Sequence, residues 1–243
     1  MGFIMRQKFE SKEEVFDYLK NEEFDHDHFF DAPLINKTGK LHGLYYTDIV
    51  AGYLAHHVEI CDDLGHVIHR ERPYNQRKKH WELPAGANPS RIEETMLKDM
   101  RDVSYMESIG VMTDFHIPLK GSMKEKAGKI DMISRKGDWL YLIELRPPGS
   151  RKTALGAVLE SYTNFNTVDM EKLYREYDIP ESIFCIPAIL VPKNGTEHKE
   201  LAREDSKTME LVNRLGMYVF LYTIKKERVP GTDEKAEFDI VIL

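Results

Sequence analysis

Residues 129–152 read KIDMISRKGDWLYLIELRPPGSRK. Two apolar runs flank a Gly-containing turn, the pattern of a β-hairpin. A two-residue loop at Lys136–Gly137 predicts that Asp131 faces Leu142 and Glu144 faces Lys129. Side chains alternate along a strand. One face then carries Lys129, Asp131, Ile133, Leu140, Leu142, Glu144 and Arg146, and the other carries Ile130, Met132, Trp139, Tyr141, Ile143 and Leu145. Both faces are mostly apolar, as in strands covered on both sides.

Charge is costly in such a place unless it is compensated. Asp131 and Glu144 are expected as diagonal neighbours, about 7–8 Å apart at the backbone. Two hard carboxylates at that spacing can share Mg²⁺ or Mn²⁺ with a substrate phosphate. Arg146 follows on the same face and can grip a phosphate oxygen, but it does not lose its proton. The structural alternative is a buried ion pair of Glu144 with Lys129 or Arg146.

Outward from the hairpin, Ser90 opens a predicted helix to about 108, followed by strands at 111–119, 128–134 and 139–146. A long helix spans about 151–175. A strand at 183–191, a helix at 205–215, a strand at 217–224 and the closing EFDIVIL complete the core. This order predicts an α/β (α+β) fold: a mixed central sheet with helices on both faces. Upstream, Ser11 and Glu14 form a capping-box pattern for a helix at 12–21, and a second helix is expected at 47–62. Residues 70–90 carry loop chemistry with Arg70, Arg72, Arg77, Lys78 and Lys79 interleaved with Tyr74 and Trp81. The chain therefore divides into an extension with a basic loop, 1–88, and a core, 89–243.

Asp131 in KIDMI and Glu144-Leu145-Arg146 in IELRP resemble the motif of the PD-(D/E)XK nuclease superfamily, of restriction-endonuclease-like fold. The α-β-β-β-α-β order fits, and the likeness covers about 90–224. The resemblance implies metal-dependent hydrolysis of phosphodiesters in DNA or RNA, with Asp131 and Glu144 on the metal. It implies a water-orienting role at the position of Arg146. Three departures stand out. Ile130 replaces the motif Pro, and Arg146 replaces the usual Lys, with Lys129 or Lys152 as substitutes. Val158 stands four before Tyr162 where relatives carry Gln.

A third acid comes from the helix at Ser90. Glu93 and Glu107 both fall in the apolar stripe of Met96, Leu97, Met100 and Val103. A helix rises about 1.5 Å per residue and a strand about 3.3 Å, so the helix residue level with Asp131 lies near 93–97. Glu93 is thus expected as an outer metal or water ligand; the alternative is an acid favoured by the helix dipole. Ser150 is the expected cap of the next helix, whose start, with Arg151 and Lys152, suits a phosphate. The basic loop is expected either as a strand-binding arm or as a solvated segment.

Composition narrows the alternatives. A net charge of −7 over 243 residues argues against an undirected nucleic-acid binder. Two cysteines, Cys61 and Cys185, imply no disulfide framework, and a cytoplasmic location is expected, with no apolar run of membrane-spanning length. Two other functions are weighed. One is a catalytically inactive module of the same fold that binds nucleic acid or protein. The other is a Nudix-like pyrophosphohydrolase, because WELPAG (81–86) resembles the approach to a Nudix box; its metal-binding glutamates would fall on Tyr105 and Met106. His56, His57, Cys61, His66 and His69 cluster without a zinc spacing. The oligomeric state stays open, a homodimer included.

Overall fold

The computed structural model describes residues 9–21, 24–75, 89–121, 128–228 and 234–243. Helix α1 (Lys12–Lys20) starts as its sequence predicts: the Ser11 hydroxyl accepts from the Glu14 amide at 3.2 Å, and the Glu14 carboxylate accepts from the Glu10 amide at 2.7 Å. A small hairpin, β1 (Lys40–Leu41) and β2 (Leu44–Tyr45), leads to α2 (Tyr46–His56) and α3 (Val58–Asp62). The predicted single helix 47–62 is thus two, because His57 leaves helical geometry at φ −133°. Helix α4 (Pro89–Arg101) ends seven residues before its predicted stop. The chain then turns tightly, with the Gly110 amide on the Met106 carbonyl at 2.6 Å.

A six-stranded mixed sheet follows in the order β3-β4-β5-β6-β7-β8. Strands β3 (Val111–Pro118), β4 (Lys129–Lys136) and β5 (Trp139–Leu145) form an antiparallel meander. Helices α5 (Ala154–Thr167) and α6 (Met170–Glu176) carry the chain to β6 (Phe184–Pro192), which is parallel to β5. The predicted helix 151–175 breaks at Val168, where Asp169 caps the second piece. Helices α7 (Thr196–Leu201), which the sequence reading lacked, and α8 (Lys207–Arg214) lead to β7 (Tyr218–Lys226), parallel to β6. Strand β8 (Glu237–Ile242) closes the edge antiparallel to β7.

Helices cover both faces, as the patterning required. On one face Met96, Leu97 and Met100 of α4 pack with Met132, Tyr141 and Ile143. On the other, Leu155 and Val158 of α5 pack with Ile189, Val191 and Val219. Val15, Leu19, Val50 and Leu54 belong to that second cluster, so the segment before α4 buries its apolar stripe against the core's own helices.

The β4–β5 register corrects the predicted one by two residues. Lys136 pairs with Trp139, which leaves Gly137–Asp138 as the loop; Gly137 supplies φ +58°. A shift of two keeps each residue's face but continues the ladder so that Asp131 lies opposite Glu144.

The alternation itself breaks beside the site. Phe115 and Met132 pair and point into the α4-side core, yet Ile117 and Ile130, two residues away, pair and point into the cluster on the other side. The residues between them are His116 and Asp131. His116 sits at φ +51°, a region that costs a non-glycine residue about 1–3 kcal/mol. This reversal turns His116 and Asp131 together and corrects the prediction that Ile130 shares a face with Met132.

Gly110 at φ +78° anchors the turn into β3, and a Cβ there would sit 2.0 Å from the Arg135 carbonyl oxygen. Gly110→Ala is therefore expected to lower stability by at least ~2 kcal/mol, read as a drop in the urea midpoint at constant slope. Gly137→Ala, at φ +58° with nothing within 4 Å, is the contrast and costs only about 1 kcal/mol.

Candidate metal centre

Helix α4 places Glu93 over the point where β3 and β4 reverse their pleat. Glu93 Oε1 lies 3.0 Å from His116 Nε2. Glu93, His116 and Asp131 each offer a ligand atom within 4.8 Å of the other two. Three elements thus converge on one small volume, with Asp131 buried and the other two partly exposed. A divalent cation fits the donors: two carboxylates and an imidazole suit an ion that accepts oxygen and nitrogen ligands. Asp131 is oriented from behind, since its Oδ2 accepts from the Leu145 amide at 3.0 Å.

Lys129 bridges the acids. Its Nζ is 2.5 Å from Glu93 Oε1 and also contacts Asp131 Oδ1. Burial acts to raise the Glu93 carboxyl, but the His116 hydrogen bond and the Lys129 ammonium outweigh it and hold it at about 2. Asp131 ends above the ordinary carboxylate range. Its complete burial exceeds the help from Lys129, and the Glu93 charge adds to the shift.

Glu144 points the other way. It lines a small cavity with Ile130, Leu142, Ser161, Asn164 and Phe165, against α5. It accepts from Arg146 Nη1 at 3.0 Å, and Arg146 Nη2 is 2.5 Å from Glu160 Oε2. Lys152 joins at that end, 2.9 Å from Glu160 and 2.8 Å from Asp31. Burial raises Glu144 well above the usual carboxyl range, reinforced by the charges of Asp131 and Glu160 and opposed by Arg146. Glu160 is held low: burial opposes this, but Arg146 and Lys152 prevail.

The sequence-predicted residues therefore fall into two groups. Asp131 and Glu93 converge, as the depth comparison expected, and Lys129 stands between them. Glu144, Arg146 and Lys152 form a second, adjoining group around Glu160. Both terminal nitrogens of Arg146 are spent on carboxylates. Histidine 116 escaped the sequence reading. Its one signal was a polar residue inside the apolar run FHIPL, and its direction depended on a backbone reversal that no periodicity reveals.

Other expected features resolve differently. Thr153, not Ser150, caps α5, and the Ala154 and Leu155 amides are taken by Glu200 at 3.1 and 3.3 Å. An internal carboxylate thus occupies the place predicted for phosphate. Arg70 and Tyr74 are buried, with Arg70 donating to the Pro118 carbonyl, so these two residues of the basic loop tie it to the sheet. Arg77, Lys78, Lys79, Trp81 and the WELPAG stretch lie outside the described residues. His57, His66 and His69 each pair with one carboxylate, Glu59, Asp27 and Asp169, and Cys61 is buried. Tyr162 donates to Asp62 at 2.8 Å, away from the site. No helix among the described residues is long and apolar enough to cross a membrane.

No family model, curated protein or solved structure matches this chain.

The raised Glu144 carboxyl gives a signed pH dependence. The folded state holds this proton more tightly than the unfolded chain, whose Glu titrates near 4.3. Stability from this group is therefore complete below that value and declines as pH rises toward the folded one. Glu93, held low, acts in the opposite sense and only as pH falls below about 4.5. Glu144→Gln keeps an acceptor for Arg146 and removes the ionisation. Relative to the parent, its melting temperature should gain progressively from pH 5 to 8, by about 3 °C at pH 8. Thermal melts across that range check it.

Proposed function

We propose that this chain is a metal-dependent phosphodiesterase acting on nucleic acid, a nuclease of the PD-(D/E)XK type. The observation that carries the reading is the convergence of Glu93, His116 and Asp131 beside a bridging lysine at a partly open site. The element order supports it as well: a helix, an antiparallel three-strand meander, a crossover helix and a parallel fourth strand, the order the motif resemblance implies. A divalent ion, Mg²⁺ or Mn²⁺, supplies Lewis acidity toward a phosphate oxygen and acidifies a water for attack.

The chain's own residues have distinct parts. Asp131 and Glu93 hold the cation's charge, and the Leu145 amide fixes Asp131. Lys129, with nearly half its side chain exposed, is the cation able to meet a phosphate oxygen once it leaves the carboxylates. Glu144, turned to the α5 side, belongs to the charge network behind the centre rather than to the groups that face it. Arg146 holds Glu144 in place and balances its charge.

One observation favours the inactive-module reading. Each buried acid already has an internal cation, Lys129 for Asp131 and Arg146 for Glu144. Such pairs alone would satisfy a sheet that merely binds nucleic acid or protein.

Cleavage separates the two. Single- and double-stranded DNA and RNA, end-labelled, are incubated with the protein in Mn²⁺, Mg²⁺ or chelator. Metal-dependent fragments are expected, with Asp131→Asn and Glu93→Gln each reducing the rate at least ~100-fold in protein that thermal melts show to be folded. Binding without fragments under every condition would place the chain with the inactive modules. Release of a nucleoside monophosphate from small dinucleotide substrates would point to the Nudix alternative.

A further inference from the structure

We infer that the centre takes a first-row transition-metal ion in preference to Mg²⁺, Mn²⁺ being the weakest-binding member of that series and so the most stringent probe, and that Lys129 is the built-in competitor which that ion displaces. This rests on the metal-binding half of the proposed function and is independent of its nuclease half.

The donor set carries the first point. Two oxygens and an imidazole nitrogen face one another. Mg²⁺ prefers oxygen and water, whereas imidazole favours first-row transition metals. The Glu93 Oε1 to His116 Nε2 separation of 3.0 Å is also the distance between neighbouring ligands on an octahedral ion with bonds of about 2.1 Å. The strained φ of +51° at His116 brings that ring to the carboxylates, and such strain concentrates where a side chain must be aimed.

Lys129 carries the second point. Its ammonium touches one oxygen of each acid, Glu93 Oε1 and Asp131 Oδ1, while the other Asp131 oxygen is turned to the Leu145 amide. The ammonium and an ion that uses those same oxygens exclude each other. Binding then exchanges one positive charge for two between the acids and releases the lysine on its flexible stem toward solvent. Removing the lysine's charge should therefore tighten metal binding, the reverse of what a supporting residue would do.

Calorimetric titration of the whole chain with MnCl₂ and with MgCl₂ tests both points. The parent should bind Mn²⁺ more tightly than Mg²⁺ by about tenfold or more. His116→Ala should weaken Mn²⁺ by about tenfold or more and bring the two ions close to parity. Lys129→Met should tighten both ions several-fold without changing their ratio. Thermal melts establish that each variant is folded, and Lys129→Arg, which keeps the charge, should bind like the parent and serves as a second variant should Lys129→Met unfold. Equal affinity for the two ions in the parent, or a ratio unmoved by His116→Ala, overturns the imidazole assignment. Weaker binding in Lys129→Met, or tighter binding in Lys129→Arg, overturns the competition. Metal binding in the expected order without cleavage of any nucleic acid sinks only the nuclease reading. Cleavage by a parent protein that binds Mg²⁺ and Mn²⁺ equally tightly sinks only this one.

Discussion

Two carboxylates on neighbouring positions of β4 and β5, turned to opposite faces of a covered sheet, are the constraint from which the rest of the centre follows. Asp131 and Glu144 are 1 % and 6 % exposed, and each ionised alone would cost several kcal/mol. The chain meets that cost by alternating sign through the sheet: Glu93 and Asp131 share Lys129, and Glu144 and Glu160 share Arg146, with Lys152 beyond. Each charge is legible only with its neighbours. Burial raises the carboxyls of the two acids nearest the middle above the ordinary range, against the opposing pull of Lys129 and Arg146. A sheet selected only for stability gains more from apolar side chains at both positions.

The backbone adapts to the same demand. A regular pleat would send Asp131 to the side of Ile133 and Leu142, toward α5. The reversal at His116 and Asp131 sends it instead to α4, where Glu93 waits at the matching height. Glu144, on an unbroken strand, stays on the α5 side. One irregular residue pair thus divides a predicted four-residue motif into a centre facing α4 and a supporting cluster facing α5. It also sets which cation meets Asp131. Arg146 stands at the motif position but is saturated by two acids, whereas Lys129 comes from the start of the preceding strand and reaches the carboxylates directly.

Much of this was legible in the residues, for identifiable reasons. Alternation in 129–146 fixed two covered strands, and Gly137 fixed a tight turn between them. Glu93 was reachable from the apolar stripe of its helix together with the rise per residue of helix and strand. Helix ends were less legible. His57 and Val168 interrupt helices through local backbone geometry, and α7 is six residues with a weak apolar pattern. The loop was misplaced by one residue because Lys136–Gly137 and Gly137–Asp138 are both plausible two-residue turns, and only the packing of both strands chooses between them.

By itself, then, the sequence determined a mixed sheet under two layers of helix and a small set of acids and bases that had to lie near its middle. Those conclusions rest on periodicity and on the expense of burying charge, both properties of the chain read in order. Tertiary structure decided which charges meet. The partner of each carboxylate, the arrival of His116 and the occupation of the α5 start by Glu200 depend on contacts between residues far apart in the chain. They depend also on one backbone angle that L-residues rarely adopt, and no spacing rule carries that information.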